Sequence, residues 1–220
     1  MTWLYLLAAI ALFAAPLASP LPDAAGITPL IEALKAQTQV PNLVSGVILH
    51  TRLFDTVAEV VVFTLAAIGV RLVLAGDPER KRIRSLDDAP SQVLCELGST
   101  IAALVAVELA LRGHLSPGGG FAAGVAGGSA IGLLLISGGA DRSERLYRLY
   151  RADLWEKAAV VAFVLVALLS LEGLLPGGRG AFGAIDSGGW IPLLNALVAI
   201  KVTLGSWAMV QLLVRYRGLL

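Results

Sequence analysis

Six apolar runs, each close to the twenty or so residues that a bilayer core of about 30 Å demands of a helix, recur near 1–19, 56–75, 93–111, 119–137, 154–175 and 190–214. Only 15% of the 220 residues are charged while 57% are hydrophobic, too little polarity to solvate the surface of a soluble domain. The natural solvent is lipid. The sequence therefore predicts an all-α integral membrane protein of about six transmembrane helices.

The first run, MTWLYLLAAIALFAAPLAS, ends in small residues and a proline as signal peptides do, but no Lys or Arg precedes it, and it reads as a retained helix. If all six runs span, the amino terminus, the 76–92 and 138–153 segments and the carboxyl terminus share one face. That face carries Arg80, Lys81, Arg82, Arg84, Arg142, Arg145, Arg148, Arg151, Arg215 and Arg217, against Lys35, Arg52, Arg112 and Arg179 on the other. The excess of basic residues predicts a multi-pass cell-membrane protein with both termini in the cytoplasm. A net charge of +1, with acids interspersed among those arginines, argues against nucleic acid as a partner. The single cysteine, Cys95, excludes an internal disulfide.

The charged stretch GDPERKRIRSLDDAPSQ, 76–92, divides a two-helix unit (1–75) from a four-helix unit (93–220). Residues 20–42 hold four prolines and a helix-like piece, TPLIEALKAQ, with Leu30, Ile31 and Leu34 on one face. Pro90, after Asp87 and Asp88, suits a helix start, because proline is tolerated in a first turn and acids favour a helix amino end. In the fourth run Gly120, Gly124, Gly128 and Gly132 recur every four residues. They share a helix face that lets another backbone approach closely.

Ionisable groups inside a span each cost about 2.5 to 3.5 kcal/mol on insertion scales and so tend to face a bundle interior or a wet cavity. Asp55 and Glu59 lie four apart, hence on one face, with Arg52 three residues earlier; such a pair can exchange a proton or hold a cation, or else cap an interfacial helix end. Lys201 lies far from either end of the last run, beyond easy snorkelling. It has to find a partner acid, a carbonyl or water, or lose its proton. Asn195 suits a hydrogen bond between helices. Glu108 precedes Arg112 by four residues and His114 by six, a setting for charge neutralisation or for proton sensing by the histidine. No His/Cys cluster at metal spacing, nucleophile motif or nucleotide loop is present. No metal, cofactor or catalytic residue is expected, and the chain is not expected to act as an enzyme on its own.

The stretch LALRGHLSPGGGFAAGVAGGSAI, followed by PLLNALVAIKVTLGSWAMV, resembles the B-subunit domain of Mrp-type multisubunit Na+/H+ antiporters, marked by a Gly-His-x-x-Pro-Gly-Gly-Gly-Phe loop and a lysine-valine pair in the last helix. Gly113, His114, Pro117 to Gly120, Phe121, Asn195, Lys201 and Val202 match. Upstream, VILHTRLFDTVAEVVVFTLAAIGV resembles an Arg-Gly-Phe-Asp-Thr-x-Gly-Glu segment at the end of the large A subunit and in small subunits of membrane-bound hydrogenases. There Arg52, Phe54, Asp55, Thr56 and Glu59 match, while Leu53 and Ala58 replace two glycines. The resemblance implies large antiporter-like and small membrane subunits as partners, Na+ and H+ as the translocated ions, and a route near Asp55, Glu59 and the Phe121 loop, tuned by Lys201. It leaves open two other classes: a passive scaffold, and an ion-translocating subunit of a redox-driven pump.

Overall fold

A computed structural model describes residues 24–79, 85, 86, 88–138, 140–175 and 180–218, with six isolated helical positions among the first fourteen. Apart from those six, the first apolar run lies outside the described residues, as do Arg80 to Arg84, Asp87 and Arg179. Met1–Ala33 and Leu34–Leu220 are two compact units. Helix α1 is Ala24–Thr38, and α2 is the single turn Leu43–Gly46, which runs into a π-turn, Val47–Thr51. The following helices are α3 Leu53–Leu74, α4 Ala89–Arg112, α5 Gly120–Gly138, α6 Ala140–Leu149, α7 Ala152–Leu171 and α8 Ile191–Arg217. Among the described residues there is no strand, and α3, α4, α5, α7 and α8 are long and apolar enough to cross a membrane. The chain is an all-α, multi-pass membrane protein.

Local chemistry sets the helix starts. Asp88 caps α4, its carboxylate accepting the Ser91 N–H at 2.9 Å, with Pro90 in the first turn. The Ser91 side chain first, and then its backbone N–H, hold the Asp88 carboxyl below its ordinary value. Pro192 fills the first turn of α8, where its missing N–H is no loss. The 138–153 segment, expected as a loop, instead contains α6. Its hydropathy is low because arginines cover its outer side, yet Ser143, Glu144, Leu146 and Tyr147 turn inward at helical spacing. It docks on α8: Trp207 Nε1 donates to Ser143 Oγ at 2.7 Å, and the Tyr147 ring meets the Trp207 ring edge-on at 5.2 Å.

Helix α8 is the hub, packing against α3, α4, α5, α6 and α7. Glycine makes the closest of these contacts. A Cβ at Gly120 would lie 2.7 Å from Val198 Cβ, one at Gly124 2.3 Å from Val202 Cβ, and one at Gly128 2.7 Å from Ser206 Cβ. Gly127 faces Thr203 equally closely, whereas Gly132 meets nothing; the α8-facing stripe ends at Gly128. Leu194, Val198 and Val202 of α8 also form the core with Leu53 and Val60 of α3 and Phe163 of α7.

At the end of the bundle holding the 113–119 and 180–190 loops, side chains take up the last carbonyls of α4, which have no partner within the helix. Asn195 Nδ2 donates to Leu109 O (3.2 Å) and Ala110 O (2.9 Å), while Asn42 Nδ2 and Ser45 Oγ both donate to Gly113 O, at 2.7 and 2.6 Å. His114 is fully buried, its Nε2–H donating to Ile185 O at 3.1 Å, and its Nδ1 is buried without a partner. Burial holds the His114 imidazole below its ordinary value, so folding favours the neutral ring.

Gly124→Ala should force α5 and α8 apart and cost about 1–3 kcal/mol, whereas Gly132→Ala should stay within about 0.5 kcal/mol; melting of the purified protein in mild detergent reads both. Because the unfolded chain protonates His114 more readily than the folded one, stability should fall as pH drops below the ordinary imidazole value of about 6.5. Melting temperatures compared at pH 7.5 and 5.5 should show that His114→Gln removes part of this loss.

Candidate functional site

The buried charge of the bundle is Lys201, 1% exposed in the middle stretch of α8. Its Nζ is ion-paired with Glu156 Oε1 on α7 and lies 5.4 Å from the ring centroid of Phe63 on α3. One turn further along α8, Gly205 makes room for this grouping, since a Cβ there would sit 2.6 Å from Phe63 Cε1 and 3.2 Å from Glu156 Oε1. Three helices thus converge on one ammonium: a carboxylate neutralises it, an aromatic face lies near it, and a glycine leaves the space. Removing the carboxylate alone would leave an uncompensated buried charge.

The pair opens onto a cavity of about 720 Å³ between α3, α6, α7 and α8. Ionic side chains line it, among them Arg71, Glu144, Arg148, Asp153, Lys157 and Arg215. The buried Gln211 Oε1 has no protein partner, and Gln211 is part of the same lining. Toward the α6 end, Glu144 accepts hydrogen bonds from both Arg148 and Arg215. The Arg215 bond is the main reason its carboxyl stays below the usual range. Arg215 is also 3.9 Å from Glu79, and Arg217 is 2.8 Å from Asp77, which ties the segment after α3 to the end of α8. Burial, reinforced by the negative charges of Glu156 and Asp153, pushes the Tyr147 hydroxyl up to about 12, so it stays protonated and able to donate.

The residues singled out from sequence do not form one cluster. Lys201 joins Glu156 and the cavity. Asp55 is half-buried and paired with Arg52. Glu59, one turn on, is exposed on the outward face of α3 with no ion-pair or hydrogen-bond partner among the described residues. Phe63, one further turn along α3 and on nearly the same side of that helix, touches the Lys201 site. Glu108 and Arg112 form an exposed pair at 3.0 Å. His114 lies in the loop end, and Phe121 packs partly buried on the core. Sequence reasoning missed Glu156, Phe63 and Tyr147. The available signal was an acid at the third residue of the fifth run, but its neighbour Lys157 made it look like a charged helix end.

Residues 90–208, just over half the chain, match the family described as "Domain related to MnhB subunit of Na+/H+ antiporter". No curated protein matches the chain. Among solved structures, it shares its fold with a chain of the membrane-bound sulfane sulfur reductase (MBS), an archaeal respiratory membrane complex, at a TM-score of 0.72 and 24% identity over 97% of both chains. The Gly-rich α5, the loop before it and the part of α8 that bears Lys201 fall within the matched stretch, and the chain belongs to the family of domains related to the MnhB subunit of Na+/H+ antiporters.

Proposed function

We propose that this chain is one membrane subunit of an Mrp-type multisubunit Na+/H+ antiporter, and that it carries part of the ion path. The observation that carries the reading is the Lys201–Glu156 pair, set among spanning helices and open to a charged cavity. Subunit contacts alone give no reason to keep such a pair, because an apolar replacement of similar volume is often neutral or stabilising. Glu59 supports a multisubunit setting, since an exposed acid on a span, without a partner among the described residues, is expensive against lipid and calls for a neighbouring subunit. Both termini lie in the cytoplasm in this reading, on the side of the α6 arginines. The family match begins at residue 90, at the start of α4, which supports treating 93–220 as one module and 1–75 as another, joined by 76–92.

A second reading, an ion-translocating subunit of a redox-driven pump, is favoured by the likeness to a chain of a respiratory complex along almost the whole length. Mass spectrometry of the proteins that co-purify with the tagged chain separates the two: metal-cluster subunits favour the pump, antiporter-like subunits alone the antiporter. In vesicles carrying the assembled complex, Glu156→Gln and Glu59→Gln should each lower sodium-driven proton movement at least tenfold with subunit composition unchanged. Full antiport by both assembled variants would reduce the chain to a scaffold.

A further inference from the structure

The cavity at Lys201 and Glu156 extends toward the α6 end, and Ile68 and Val161 in its wall are also exposed on the outer side of α3 and α7. Its lining follows α3, α7 and α8 to the Glu144–Arg215 pair, at the end of the bundle that carries α6. In the other direction, the next residues of α8 toward its start are Val198 and Leu194, packed with Leu53 and Val60 of α3 and Phe163 of α7, each at most 2% exposed. Ionic side chains therefore mark the approach to the pair from the α6 end, and a buried apolar layer lies on its other side.

The groups sharing the cavity narrow what the pair can take up. Facing it are Arg71 from α3, Glu144, Tyr147 and Arg148 from α6, and Arg215 from α8, with Asp153 and Lys157 on Glu156's own helix. Glu144 is committed to Arg148 and Arg215, Asp153 pairs with Lys157 at 3.5 Å, and Tyr147 titrates only near 12. Glu156, bonded only to Lys201 among the described residues, is the acid left to exchange with the cavity. A metal cation bound there would sit beside an ammonium and find one carboxylate, where hard cations gather several oxygens. A proton needs a single lone pair.

We propose that this cavity is a one-sided aqueous half-channel ending at Glu156, and that Glu156 is a proton site rather than a sodium site. The inference deepens the antiporter-subunit reading and rests on it for its role in transport. In the loading step, a hydronium ion in the cavity gives its proton to a Glu156 carboxylate oxygen, forming one O–H bond and leaving water. Lys201 keeps its three protons, and its ion pair with Glu156 becomes a hydrogen bond to the neutral acid, with the Phe63 ring still nearby. Unloading is the reverse transfer to water.

Two measurements on the assembled complex test this without reading transport, so failure here differs from loss of antiport. In a Cys95→Ser background, Thr64→Cys on the α3 wall of the cavity and Gln211→Cys should react with a membrane-impermeant methanethiosulfonate at least tenfold faster from the α6 face than from the other, and Val198→Cys from neither. Reaction from the opposite face, from both equally, or at no cavity position would overturn the half-channel. Dicyclohexylcarbodiimide, which modifies protonated carboxyls, should label Glu156, as located by peptide mass spectrometry, with a rate that rises as the pH on the α6 side falls and that Na+ leaves unchanged. Protection by Na+, or no pH dependence, would overturn the proton assignment.

Discussion

The fold depends on how closely α8 can approach its neighbours. In lipid, apolar faces gain little by leaving one apolar solvent for another, so helix association rests on close packing and on polar contacts. Gly120, Gly124, Gly127 and Gly128 supply that packing on one side of α8, where every added methyl group would collide with α8. On the other side α8 presents Lys201. The same helix therefore joins the tightest apolar contact of the bundle to its most buried charge, and the position of that charge is fixed by packing made without it.

Charge is placed by depth and by face. Near the ends of the bundle, where water and headgroups screen, pairs such as Glu108–Arg112 and Lys157–Asp153 are exposed and stabilise little. Deeper, the rule is stricter, and Lys201 obeys it with a carboxylate partner and an aromatic neighbour. Glu59 does not obey it within this chain, and that exception turns the outer face of α3 from a lipid surface into the expected seat of another subunit.

Five spans were legible in the sequence because length and hydropathy suffice to define them, and their ends fell within a few residues of the expected ones where Asp88, Pro90 and Pro192 mark a first turn. The glycine face was legible too, though periodicity could not say where α8 would stop covering it, and so Gly132 was included and Gly127 left out. Helix α6 escaped notice because its arginines dominate its average. The pairing of Lys201 with Glu156 spans 45 positions and depends on how α7 and α8 cross, which no local pattern encodes. A need for some partner was readable from the burial of a lysine; its identity was not.

The π-turn at Val47–Thr51 sets the phase of everything after it on the same chain. Before it, Asn42 and Ser45 point inward and hold the end of α4; after it, Thr56 reaches back to donate to Ile48 O at 3.0 Å, and Glu59 faces outward. Each residue of a helix advances about 100°, so deleting one residue from this turn would swing Glu59 and Phe63 together by more than a quarter of a revolution. The acid and the ring, four residues apart on one side of α3, behave as two teeth on one shaft, and the turn is the key that locks the shaft in register.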